Sequence, residues 1–374
     1  MNHYWQKSLQ HPFRLFFPLI SFAVLIALLP WLALSFLPSQ AAHFPLHWHA
    51  FAFVHLTGGA AFAGFLLTAL PEWTDDRRKL HAHSIRLLVL WGIALCGLWQ
   101  LSIGAWLIVP FWVYLFALTA SFVWRNKDSR QLSLLFCLSL IIALAIAYAA
   151  SGEGRYLHAG VDAMLLAVAI INFRVARAIG NQALEDGGRL DERFIPNPYY
   201  KNLSCFWLAA ASASGLAASH SVQGWLYLAA GMAFVARLHD FHHLRLLRFA
   251  YVRAHYAVSL SLALGYSALG AVLLLAPAYS SFARHFLAIA VYLLMILTII
   301  SIAGQRHSGV KLHFHSDIRL ALTLLLIAAC ARGIYSAFEP NINGIYRLPA
   351  VAIAVAFIVY CLRYLRIFAR NEPR

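Results

Sequence analysis

His47-Trp48-His49-Ala50-Phe51-Ala52-Phe53-Val54-His55 runs on through Thr57-Gly58-Gly59 to Pro71-Glu72-Trp73, and it sets three imidazoles at the mouth of a long apolar segment. From Trp48 to Leu70 there is no Asp, Glu, Lys or Arg. At 1.5 Å per residue such a run crosses about 30 Å of hydrocarbon as one helix. A polar ring at that depth costs free energy unless something binds it, which marks these histidines as candidate functional groups. Imidazole suits haem iron, copper and zinc.

The same kind of run recurs along the chain. Of 374 residues, 62% are hydrophobic and 11% charged, against about 25% charged in a soluble domain. Twelve apolar runs near spanning length stand out, at 15–37, 48–70, 84–102, 104–124, 131–150, 157–179, 201–220, 224–239, 254–276, 282–303, 317–337 and 347–368. A spanning segment must satisfy its own backbone hydrogen bonds, so the expected fold is an all-α, polytopic transmembrane bundle of about twelve helices. The first run is too long for a signal peptide and reads as the first spanning helix. A polar, Gly/Pro/Asn-containing stretch at 180–200 divides the single membrane domain, 1–374, into helices 1–6 (1–180) and helices 7–12 (201–374).

Charge supports that count. With both termini on one side, every Lys and Arg falls on that side except Arg155, Arg284, Arg332 and Arg347. The positive-inside rule makes it the cytoplasm and the chain a multi-pass membrane protein. The net charge of +15 then reflects topology and anionic lipid, and nucleic acid is not required as a partner. The five cysteines are scattered and form neither a disulfide framework nor a thiolate metal site. No C-x-x-C-H motif for covalent haem occurs. Walker, G-x-G-x-x-G, H-E-x-x-H and G-x-S-x-G motifs are also absent, which leaves nucleotide-driven and hydrolytic chemistry without support.

The topology sorts the eighteen histidines into two layers. His43, His47, His49, His55, His158, His220 and His285 lie on the outer side. His3, His11, His81, His83, His239, His242, His243, His255, His307, His313 and His315 lie on the cytoplasmic side. His285 and His307 bound helix ten about 33 Å apart and belong to different sites. The candidate metal ligands are His47, His49, His55, His285 and His307, with His255 and His11 as further cofactor ligands. Interfacial anchoring is the competing reading for each, as it is for His81 and His83. Arg14 and Arg174 read as cytoplasmic anchors or as partners for haem propionates, and Arg253, beside His255, as a cation that suits propionates better than bare metal. Gly58, Gly59, Ala60, Ala63 and Gly64 let another helix, or a flat macrocycle, approach helix two.

These residues resemble the NnrS family of bacterial membrane proteins. The family's H-P-F-R matches His11-Pro12-Phe13-Arg14. Its W-H-A-H-E-M segment, running on to A-G-F-L-L-T-A-V-P-N-W-T, aligns without a gap from Trp48 to Thr74. Its G-R-V is similar to Phe173-Arg174-Val175, its W-V-L-H to the region of His255, and its helix-ten pattern places His285, Leu294-Met295 and His307 on family positions. The second His and the Glu of W-H-A-H-E-M are Phe51 and Ala52 here, with His47 and His55 as the extra imidazoles nearby. The helix-ten Arg is Ile302. The resemblance implies a bacterial inner-membrane protein, termini cytoplasmic, carrying haem b and copper. It would act in the response to nitric oxide and nitrosative stress, with haem-based nitric oxide or redox chemistry and a redox partner as expectations. A copper or haem carrier, and an assembly or structural subunit of a respiratory complex, are the alternatives.

Overall fold

A computed structural model describes residues 11–76, 78–127, 129–216, 219–241, 244–339, 341 and 343–370; His3, Lys7, Arg77, His242, His243 and Arg374 lie outside the described residues. A helix occupies each of the twelve expected runs, and no strand occurs among the described residues. In chain order they are α1 (Pro12–Phe36), α2 (Trp48–Thr74), α3 (His81–Trp99), α4 (Leu101–Asn126), α5 (Ser129–Ser151) and α6 (Gly154–Asp186). After the linker come α7 (Pro198–Ser214) and α8 (His220–Arg237). The last four are α9 (Ala250–Leu275), α10 (Pro277–His307), α11 (Ser316–Phe338) and α12 (Ile345–Arg370). Ten of these are long and apolar enough to cross a membrane. The other two, α7 with 17 residues and α8 with 18, are shorter or less apolar.

Local chemistry sets the ends. Pro12 and Pro198 open α1 and α7 where a missing N–H costs nothing. Asn197 caps α7 by accepting from Tyr199 N at 2.9 Å, and Ser219 caps α8 by accepting from Val222 N at 3.4 Å. The α3–α4 break falls at Gln100, in an extended conformation (φ −130°, ψ 82°); Pro110 sits inside α4, at the start of its Val109–Asn126 segment. There Gly97 and Gly104 touch: a Cβ on Gly104 would lie 2.4 Å from Gly97 O.

Two compact units share the chain. One comprises Met1–Met164, Ile300–Leu312 and Phe357–Arg374, the other Leu165–Ile299 and His313–Ala356. In the first, Phe16, Phe17, Phe51, Phe111 and Trp112 are fully buried. The C-terminal end of α10 is tied to α12, where Tyr364 OH donates to Ser301 O at 2.8 Å and Gln305 Nε2 donates to Tyr364 OH at 2.8 Å. In the second, Tyr227 and Phe234 of α8 stack on Tyr266 of α9, with centroids 5.6 and 5.8 Å apart. Trp124, Phe136, Phe206, Trp225 and Leu275 are exposed, which suits lipid and would be costly in water.

The loop between α2 and α3 is held by charge. Arg78 makes a two-nitrogen contact with Asp76, donates to Ser121 Oγ at 2.7 Å and covers the Phe122 ring at 3.9 Å. Those Arg78 hydrogen bonds, with a smaller contribution from Asn126, hold the Asp76 carboxyl at about 2.

Candidate functional site

In the first unit, α2 opens with one regular turn and then a π-helical turn, Ala52–Thr57. His47 precedes the helix, with Nδ1 at 3.3 Å from Tyr148 OH. A Cβ on Gly154 would come within 2.9 Å of its Nε2, so the start of α6 presses on that edge of the ring. His49 is half-buried, its ring edge-on to Trp31 and Phe53. Its Nδ1 lies 3.2 Å from Ala27 O. A carbonyl only accepts, so Nδ1 carries the proton and the lone pair resides on Nε2.

His55 has the opposite arrangement. It is 2% exposed, sits in the π turn, and its Nδ1 accepts from Trp112 Nε1 at 3.2 Å. Indole only donates, so in the neutral ring the proton is on Nε2. His49 and His55 are thus anchored to different helices, α1 and α4, in different tautomers. The small-residue stripe below them is filled by helices: a Cβ on Gly59 would meet Phe111 at 2.9 Å, and one on Gly64 would meet Phe16 at 2.8 Å. Helix packing, not a macrocycle, occupies that face.

At the opposite end of α2, in the same unit, residues from α1, α2 and α10 gather. His307 Nδ1 lies 3.3 Å from Glu72 Oε1, and its ring is 5.7 Å from that of Phe13. His11 lies against the other side of the cluster, 6.2 Å from Phe13 between ring centroids. Burial, then the Arg14 charge, then His307 hold the His11 imidazole below its ordinary pKa. Arg14 itself is 2% exposed. His11, Arg14 and His307 are therefore neighbours. Glu72 was not among the expected residues. Its signal was an acid in the last turn of an otherwise uncharged helix, where the family pattern has Asn.

In the second unit His255 is fully buried on α9. The cation that reaches the polar core around it is Arg237. Arg253 is exposed and donates to Leu247 O and Arg248 O at 3.0 and 2.9 Å, closing the turn before α9, so the expectation that Arg253 flanks a His255 site is corrected. Arg237, 5% exposed, donates to Ala169 O at 3.0 Å and to Asn172 Oδ1 at 2.8 Å. Ser259 Oγ, one turn after His255, donates to the same Asn172 Oδ1 at 3.2 Å. Asn172 thus joins α6, α8 and α9. Sequence reading missed it because an Asn two residues before Arg174 carries no charge and no motif. Arg174 is half-buried.

His285, near the start of α10, is half-buried, with Nδ1 2.7 Å from Ser281 O and Nε2 3.5 Å from Arg332 Nη2. Like His49 it carries its proton on Nδ1. A π-helical turn, Ala288–Leu293, follows it. Among the described residues no three His, Cys, Asp or Glu side chains converge to hold a metal ion.

No curated protein and no solved structure matches the chain significantly. The family profile described as NnrS protein matches residues 7–372, nearly the whole length. The chain is a multi-pass helical membrane protein of the NnrS family.

Proposed function

We propose that the protein carries haem b in the bacterial inner membrane, with both termini in the cytoplasm, and serves the nitric oxide response to which its family is linked. The observation that carries this reading is the hydrogen bonding of His49 and His285. His49 and His285 each donate Nδ1–H to a backbone carbonyl, at 3.2 and 2.7 Å. That contact fixes the ring and makes Nε2 the basic nitrogen, as in ligating histidines generally. Neither belongs to a cluster of three donors. A porphyrin brings four nitrogens of its own and asks the protein for one or two imidazoles. A bare copper ion asks for several protein donors at once, and the described residues do not fit it, so no step here uses copper.

His49 and His285 are the outer candidates, one in each unit. His307, His11 and Arg14 form the inner candidate group in the first unit, and His255 is the buried candidate in the second. Haem with one axial position open would bind nitric oxide. The chain's own residues hold the imidazoles in one tautomer, keep water from them with Trp31, Phe53 and Phe13, and place Arg14 where an acidic substituent needs a cation.

The test is spectroscopic. Protein purified from haem-supplied cells is expected to show a Soret band that moves with dithionite and again with nitric oxide. His285→Ala or His49→Ala should abolish or shift it, while His81→Ala, at an exposed helix start, should leave it intact. No Soret absorbance in the wild type would overturn the proposal. Iron content unchanged in both His307→Ala and His255→Ala would reduce those two to structural residues.

A further inference from the structure

Arg332 is one of only four cations that the topology places on the outer side, and no Asp or Glu pairs with it among the described residues. It lies in a π-helical turn, Ala331–Tyr335, near the end of α11. Its guanidinium covers the Phe282 ring at 5.2 Å, and Nη2 reaches His285 Nε2 at 3.5 Å, a long contact. Nη1 is buried and has no hydrogen-bond partner among the described residues. The nearest acid in sequence, Glu339, is exposed and engaged by Tyr335 OH at 2.5 Å and is not paired with Arg332. The backbone is tight here: a Cβ on Gly333 would lie 2.5 Å from Phe286 Cβ and 3.0 Å from Phe286 Cα. That contact locks α11 onto the first turns of α10 and fixes the guanidinium beside the imidazole.

We infer that Arg332, set beside His285, forms an anion site in which its guanidinium takes an oxyanion presenting two acceptor oxygens. A half-buried guanidinium whose Nη1 is buried without a hydrogen-bond partner or carboxylate among the described residues is an unfavourable arrangement that such an anion completes. The planar fork of Arg matches a planar pair of oxygens better than it matches a spherical ion, and a charge-assisted pair of this kind is strong. Phe282 screens one face from water. The source is either a small soluble anion or the phosphate of an outer-leaflet lipid, since Arg332 lies near the membrane surface. The inference does not depend on haem: the open donor belongs to Arg332, whatever His285 binds.

The full chain in nanodiscs tests this by thermal stability at constant ionic strength. In zwitterionic lipid, formate or nitrite should raise Tm where chloride does not, and Arg332→Gln should weaken the apparent affinity at least about tenfold. Arg347→Gln, an exposed outer cation, should retain it. Arg332→Lys keeps the charge and loses the fork, so it should lose the preference for formate over chloride; it serves if Arg332→Gln does not fold. Stabilisation by phosphatidylglycerol but not by formate, lost in Arg332→Lys, assigns the same site to lipid phosphate. Equal responses to formate and chloride without a lipid effect, or responses unchanged in both Arg332 variants, would overturn the inference.

Discussion

His55 and His285 look alike in the sequence, each an imidazole near the outer end of an apolar helix, and their chemistry separates only when their partners are known. Trp112 stands 57 residues after His55 and supplies an N–H; Ser281 stands one turn before His285 and supplies a carbonyl. The residue type was legible and the tautomer was not, because it depends on a contact between helices. The same holds for Asn172, whose value comes from Arg237 and Ser259. The difference makes a paired prediction. His55→Ala leaves the buried Trp112 N–H unsatisfied and removes a packed ring, which should cost about 1–3 kcal/mol and lower Tm with the Soret band retained. His285→Ala removes a half-buried ring at a helix end and should change the spectrum with little loss of stability. Equal effects of the two variants on both readouts would erase the distinction between a structural and a ligating histidine.

Helices were the most legible level, because run length against bilayer thickness needs no knowledge of neighbours. What that argument could not see were features made by packing: the π turns at Ala52–Thr57, Ala288–Leu293 and Ala331–Tyr335, and the break at Gln100. The break makes a prediction. Gly104→Ala would drive a methyl to 2.4 Å from Gly97 O, backbone against backbone, and should cost at least about 2 kcal/mol, read as lower Tm. Gly92→Ala, with nothing within 4 Å, should be neutral or stabilising by up to about 1 kcal/mol. The α2–α3 loop makes another. Asp76 has a folded pKa depressed to about 2 by Arg78, below the roughly 3.9 of an unfolded Asp. Its contribution is therefore complete above about pH 4 and is lost as pH falls through 2. Asp76→Asn should lower Tm at pH 7, with the gap to wild type closing toward pH 2; a gap constant with pH would remove the carboxylate from the account.

At the scale of the molecule the two compact units do not follow the linear halves on either side of residues 180–200. Each takes segments from both, and α6, α10 and α12 contribute to the two in turn. Contact between distant segments created that division, and no composition shift along the chain announces it. Charge is different, since it reports sidedness without contacts. All cations but Arg155, Arg284, Arg332 and Arg347 share one side when twelve helices cross. The short pair α7 and α8 does not disturb that result: two crossings or none leave every later helix with the same orientation. Both termini should therefore be cytoplasmic, with a fluorescent reporter folding after Arg374 and a cysteine at Ser39, in a cysteine-free background, labelled from outside. The reverse pattern would overturn the charge argument and the depth of every histidine with it. The sensitive position is Ser219, between α7 and α8. Labelling from outside means that the pair crosses and that His220 belongs to the outer layer. Protection at Ser219 with Ser39 still labelled would make ten helices the spanning set, keep both termini inside, and move only His220 to the cytoplasmic side.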